Sequence, residues 1–243
     1  MPHAYRLNKA DFDQAVSLLN KAIERDPSFF SAHAVLSHSY TLAAYHGWAG
    51  RVGETVADAI RYGDKAAELD PQNPLAHQSL GFAFSMRGPL EKAITSLRRA
   101  LELDPNASSA WAGLALAYGM IGQTEDALAA VEKAKRGSPR DPFMWLWTAS
   151  EMAAAFADER LEDAIERAKA TIQLQSGWYG SHVLLTASAA HLGRIDEGRE
   201  AVADLLKLIP RFTVGAVAKN PMFERPADAA RLVEGLRKAG LPE

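Results

Sequence analysis

The chain has 243 residues, 48% apolar and 23% charged, with a formal net charge of −3 and no cysteine. That composition excludes the disordered and membrane-spanning classes, and the slightly acidic balance carries no footprint of a phosphate-backbone binder. Disulfide and thiolate chemistry are excluded outright, and the lack of cysteine fits a reducing cytoplasm.

The N-terminal stretch MPHAYRLNKADFD has no apolar core and no small-residue cleavage pattern, so it does not read as a signal peptide. Ala15, Leu19 and Ala22 then form one face of a helix closed by Pro27. Residues 30–73 repeat this ending with Ala59, Ala66 and Pro71, and precede it with His33, Leu36 and Tyr40. Residues 74–107 carry His77, Leu80, Gly81, Phe84, Ala93, Leu97, Ala100 and Pro105. Residues 108–141 follow position by position with Trp111, Leu114, Ala115, Tyr118, Ala127, Val131, Ala134 and Pro139. Pro71, Pro105 and Pro139 therefore stand in equal steps of 34 residues. Residues 142–178 (Trp145, Thr148, Ala149, Ala164, Ala168, Thr171) and 179–212 (His182, Leu185, Thr186, Gly198, Val202, Leu205, Pro210) are less regular units of the same kind. Residues 213–243 read as a degraded repeat followed by a capping helix striped with Ala229, Leu232, Val233 and Leu236.

Each unit predicts two antiparallel helices. Gly88, Gly122 and Gly193 mark left-handed turns between them, and acidic residues such as Glu91 and Glu125 open the second helix. Asp70, Asp104 and Ser138 end the second helix ahead of proline, and Asn73-Pro74 and Asp141-Pro142 start the next first helix. Residues 30–73 are ten longer than their neighbours, with the excess around Tyr45–Gly53, where three glycines argue against a continuous helix extension. Three extra residues in 142–178 are expected near Ala157–Leu161.

This pattern resembles the tetratricopeptide repeat. The resemblance implies an all-α, right-handed solenoid of helix pairs with a C-terminal capping helix, and a first unit, 1–29, truncated to little more than its second helix. We therefore expect the chain to be a segment of a longer protein. The order of features also resembles the C-terminal repeat region of bacterial class III adenylate or guanylate cyclases. The matching pieces are Tyr5-Arg6, the long second unit with Gly47-Trp48, the segment PFMWLW from Pro142, and LVEGLRKAGLP from Leu232. That resemblance implies a cytoplasmic module regulating or dimerising a signalling enzyme, with a transcription regulator as an alternative parent, and it carries over no catalytic residue.

No P-loop, GxSxG elbow, HExxH motif or short His/acid cluster occurs. His33, His77 and His182 share the fourth position of their units, where a packing side chain is expected. We therefore expect no enzyme activity, cofactor, metal, nucleic acid or membrane. Recognition remains. In the repeat family a concave groove is lined by positions 2, 5, 9, 12 and 13 of each first helix, which carries over here to His38, Leu42, Phe82, Met86, Leu116, Met120, Phe143, Leu146, Val183 and His191. This surface is apolar and suits an amphipathic helix or extended peptide. For each residue the competing assignment is inter-helix core. The expected partner is a protein or peptide, or the chain's own upstream domain, with a homodimer as a further reading.

Overall fold

The computed structural model describes residues 9–46, 48, 52–87, 89–141 and 143–243. Tyr5-Arg6, Gly47, Gly88 and Pro142, named above, lie outside the described residues. Among the described residues there is no strand. The helices are α1 (Lys9–Arg25), α2 (Phe30–His46), α3 (Val52–Leu69), α4 (Pro74–Arg87), α5 (Leu90–Leu103), α6 (Ser108–Met120) and α7 (Thr124–Gly137). They continue with α8 (Trp145–Ala157), α9 (Leu161–Leu174), α10 (Tyr179–His191), α11 (Ile195–Leu208), α12 (Val214–Lys219) and α13 (Pro226–Lys238). Among the described residues no helix is long and apolar enough to cross a membrane.

The chain forms two compact units, Met1–Gly113 and Leu114–Glu243, divided within α6. In the first, neighbours in sequence are neighbours in space: α1 packs on α2, α2 on α3, α3 on α4 and α4 on α5, and α2 also meets α4. Small residues set how closely these helices approach. A Cβ on Gly63 would stand 2.9 Å from Ser37 Oγ, and one on Gly81 would stand 2.6 Å from Leu97 Cγ. In the second unit α7, α8, α9, α10 and α11 pack successively, and α13 lies on α10 and α12. The second helices α7, α9 and α11 bury only a narrow stripe, such as Ala127, Ala130, Val131 and Ala134 in α7.

A recurrent hydrogen bond ties each first helix to the turn before it. The ring nitrogens His33 Nε2, His77 Nε2 and Trp111 Nε1 donate to the carbonyls of Pro27, Pro71 and Pro105 at 3.1, 2.9 and 2.9 Å. His182 Nε2 does the same to Ser176 O at 3.2 Å. The fourth position therefore calls for a flat side chain with a ring N–H, more than for bulk. The aspartates that precede proline shape the same turns: Asp26, Asp70 and Asp104 accept the amides of Ser28, Gln72 and Asn106. Asn73 accepts the amide of Leu75 at the start of α4, the capping role its sequence predicts. Asp141 accepts the amide of Phe143 in the same way, but α8 begins only at Trp145 with Met144 at its N-cap, so Asp141 shapes the turn and does not start the helix as expected.

One expectation holds in part and one needs correction. α2 ends at His46, Trp48 is non-helical and α3 begins at Val52, so the helix is not continuous through the insertion, as the glycines predict. The ten-residue excess in 30–73 is largely helix: α2 runs 17 residues where α6 and α10 run 13, and α3 runs 18 where α5 and α7 run 14. Gly53 lies within α3, so that glycine does not break the extension. The three extra residues of the fifth unit lie before α8, in the turn through Phe143 and Met144, and not near Ala157–Leu161. Trp145 consequently opens its repeat as Tyr179 opens the next, 34 residues on. Thr148 then falls in the fourth position. It has no ring N–H, and its hydroxyl bonds Trp145 O instead.

The turns between paired helices adopt the left-handed conformation at Gly122 (φ 74°) and Gly193 (φ 76°), as the glycines predict. The equivalent turn after α8 uses Glu159, at φ 61°, where a side chain carries a steric penalty. Around Gly193 a Cβ would meet nothing within 4 Å, whereas at Gly122 it would run into the guanidinium group of Arg225. Gly193→Ala is expected to cost about 1 kcal/mol in urea unfolding, from its φ alone. Gly122→Ala is expected to cost more, and equal costs would show that Arg225 is not packed against that turn.

Candidate interaction surface

The first helices α2, α4, α6, α8 and α10 carry hardly any charge: one carboxylate, Glu151, and one arginine, the terminal Arg87 of α4. A helix without a charged face has to be covered all round. One side of α2, α4, α8 and α10 is covered by its paired second helix. What covers the groove side differs in the two units.

In the first unit that side is half open. On α2, Ala34 and Thr41 are buried, while His38 and Leu42 are partly exposed. On α4, Leu75 is 38% exposed and Gln78 and Met86 are partly exposed. Phe82 is not part of this surface. It is buried, with its ring edge-on to His38 at 6.2 Å, and a Cβ on Gly113 would stand 2.9 Å from its Cε1. Phe82 is thus a packing residue between α4 and the start of α6. Loss of hydration at His38 pushes its imidazole pKa down to about 4.

In the second unit the groove side is closed by the chain itself. Leu116, Met120, Leu146 and Val183 are all buried, so these four groove candidates, like Phe82, belong to the interior. Phe143 lies in the turn before α8 rather than on the helix, because of the shifted register. His191 remains partly exposed, and its Nε2 donates to Arg231 O at 2.7 Å.

The covering element is the segment 223–239, which runs past the C-terminal ends of three first helices. The Glu224 amide donates to Met120 O, in the last turn of α6, and buried Phe223 stacks on Phe156 at 5.2 Å. Arg225 Nη2 donates to Ala157 O at 2.7 Å, and Arg231 Nη1 to Phe156 O at 3.0 Å. Those carbonyls end α8, where intrahelical donors run out and the helix dipole is negative, so guanidinium groups suit them doubly. Arg231 also pairs with Glu159, the residue at that left-handed turn, at 2.6 Å. Asp228, almost wholly buried, accepts from both Arg225 and Arg231 and holds the two side chains in register. Further along α13, a Cβ on Gly235 would stand 2.7 Å from Ala187 Cα, so the helix lies directly on α10.

Magnitudes divide the labour. Fully burying Phe223, Leu232 and Leu236 contributes about 1.5–3 kcal/mol each. The arginine bonds are partly exposed and contribute less, but carbonyl acceptors at fixed points define where the segment sits. The apolar residues hold the segment down and the arginines set its position.

Part of this was readable. The ninth position of successive first helices runs His38, Phe82, Leu116, Ala153, Ala187, and the shrinkage makes room for a helix over α8 and α10. In the corrected register Phe156 and Ala157 occupy positions 12 and 13 of the fifth unit, and these are the residues whose carbonyls the two arginines reach.

Residues 85–122 match the family described as TPR repeat, and residues 3–29 the one described as tetratricopeptide repeat. No curated protein matches the chain. Among solved structures, it is similar to the APC/C hetero-tetramer Cut9–Hcn1, with TM-score 0.64 and 18% identity over 93% of this chain. This chain spans 43% of that one. TTC0263, a thermophilic TPR protein of Thermus thermophilus, gives TM-score 0.54 and 17% identity, covering 76% of this chain and 92% of its own. PilW, a type IV pilus biogenesis factor, gives 0.54 and 15%, covering 84% and 90%. At these identities the likeness establishes the fold: all-α, with tetratricopeptide-type helix pairs.

The depressed pKa of His38 has a defined consequence for stability. Between pH 6.5 and about 4 the unfolded chain binds a proton at this residue that the folded chain does not, so stability present above pH 6.5 is lost as pH falls through that window. The melting temperature is expected to drop between pH 7 and pH 5, and to drop less in His38→Phe, which places there the side chain that Phe82 supplies one repeat later. An equal drop in the variant would show that His38 is not the group responsible.

Proposed function

We propose that the chain is a non-enzymatic interaction scaffold that binds a peptide or helix of a protein partner on the groove side of α2 and α4. The tetratricopeptide fold supports a protein-binding role in general. The choice of face rests on one observation: helices of the same uncharged kind are covered in the second unit by the chain's own segment 223–239, whereas Leu75 on α4 stands 38% exposed, with His38, Leu42, Gln78 and Met86 partly exposed. An apolar strip flanked by small polar side chains suits the apolar face of an amphipathic helix, and Met86 supplies an adaptable contact. Of the ten groove candidates this reading keeps His38, Leu42 and Met86 as partner-binding residues and assigns none to catalysis.

The resemblance to cyclase repeat regions supports a second reading of the partner as a catalytic domain upstream in the same polypeptide, in a cytoplasmic signalling protein. Under that reading the same face docks a segment of the cyclase.

The test is selection of helical peptides from a displayed random library on the full chain, followed by titration against Leu75→Lys/Met86→Lys. Selected peptides are expected to lose at least tenfold in affinity for the double variant, with its melting temperature within a few degrees of the parent. Peptides that bind parent and variant alike would place recognition elsewhere.

A further inference from the structure

The segment 223–239 has the properties of a ligand as well as those of a cap. It is an amphipathic helix with a short lead-in: Leu232 and Leu236 point into the protein, while Glu234, Arg237 and Lys238 face outward. Its seat is contributed by other elements, namely the carbonyls ending α8 and the small surface of α10 at Ala187. Those carbonyls are at a helix end and can be hydrated when the segment leaves, so departure strands no acceptor in a dry interior. Six residues of α12 are the helical content between α11 and α13.

We infer that the groove side of α8 and α10 is a second helix-docking site, occupied in cis by residues 223–239 and open in trans to a helix of the same chemistry. That helix has an aromatic residue ahead of its first turn, two arginines six residues apart with a carboxylate between them, and a glycine one turn beyond the second arginine. Phe223, Arg225, Asp228, Arg231 and Gly235 are the template. The site is distinct from the face of α2 and α4, so either can fail without the other.

The probe is a fluorescein-labelled peptide of residues 220–243, titrated into the full chain and into Arg231→Met, which loses the bonds to Phe156 O and Glu159 in cis. The peptide is expected to bind the variant at least tenfold more tightly than the parent, and a peptide carrying the same Arg231→Met change is expected to bind the variant at least tenfold more weakly than the native peptide. Equal binding in either comparison, with helical content retained, would overturn the proposal. Amide exchange on the unmodified chain serves if the variant does not fold. Amides of 228–238 are expected to exchange at least tenfold faster than those of 183–190, because α13 lifts as a unit. Equal rates in both stretches would mean that the segment leaves only on global unfolding, and would overturn the proposal as well.

Discussion

The constraint on which most of this structure depends is the near absence of charge on the first helix of every pair. Such a helix cannot turn any face permanently to water at low cost, so each must be covered by its partner, by its neighbours and by something on the groove side. The second helices can bear the solvent because they confine apolar residues to one stripe and carry the charge elsewhere. Ion pairs such as Lys169–Glu197 and Arg194–Glu162 lie along that outer layer and are largely exposed. They add little stability individually. Glu151 is the exception among first-helix residues. It stands where Leu114 and Leu185 stand in other repeats and is satisfied by Lys135 and Arg167 at 2.8 and 3.0 Å, on the second helices either side of it.

In the second unit the groove side is filled by the chain's own C-terminal segment, and the chemistry of that contact follows from how helices end. A helix leaves its last carbonyls without donors, and Arg225 and Arg231 provide them at α8. Buried Asp228 would be costly alone, and between two guanidinium groups it fixes their spacing instead. A helix face of the same uncharged kind is half open in one unit and, in the other, occupied from within.

Much of the fold was legible because its signals are local. Turn glycines, aspartate before proline, asparagine before proline and the 34-residue step each act within a few residues, and each appears where its physics requires. The register of α8 was not legible in the same way. Pro142, Phe143 and Met144 are apolar enough to continue the helix pattern upstream, and Trp145 fits either the first or the fourth position. The fourth position puts Phe143 on the groove side, and the first puts Phe156 and Ala157 there. Phe82 is buried by the neighbouring repeats, against His38 and beside Gly113, whereas the segment that meets the ends of α6 and α8 comes from residues 223–231, and no repeat pattern encodes that contact. The histidines of the fourth position lay between these cases. Their shared identity was visible, but the carbonyl six residues earlier that explains it was not.

At Gly235 the backbone of α13 lies directly against Ala187 on the groove face, and that contact reports on whether the face is occupied. A nuclear Overhauser experiment on the full chain, with alanine methyls labelled, measures it. Occupancy in cis predicts a strong cross-peak between the Ala187 methyl and the Gly235 α-protons whose intensity per molecule is independent of protein concentration. No cross-peak, or one that grows with concentration, would contradict it.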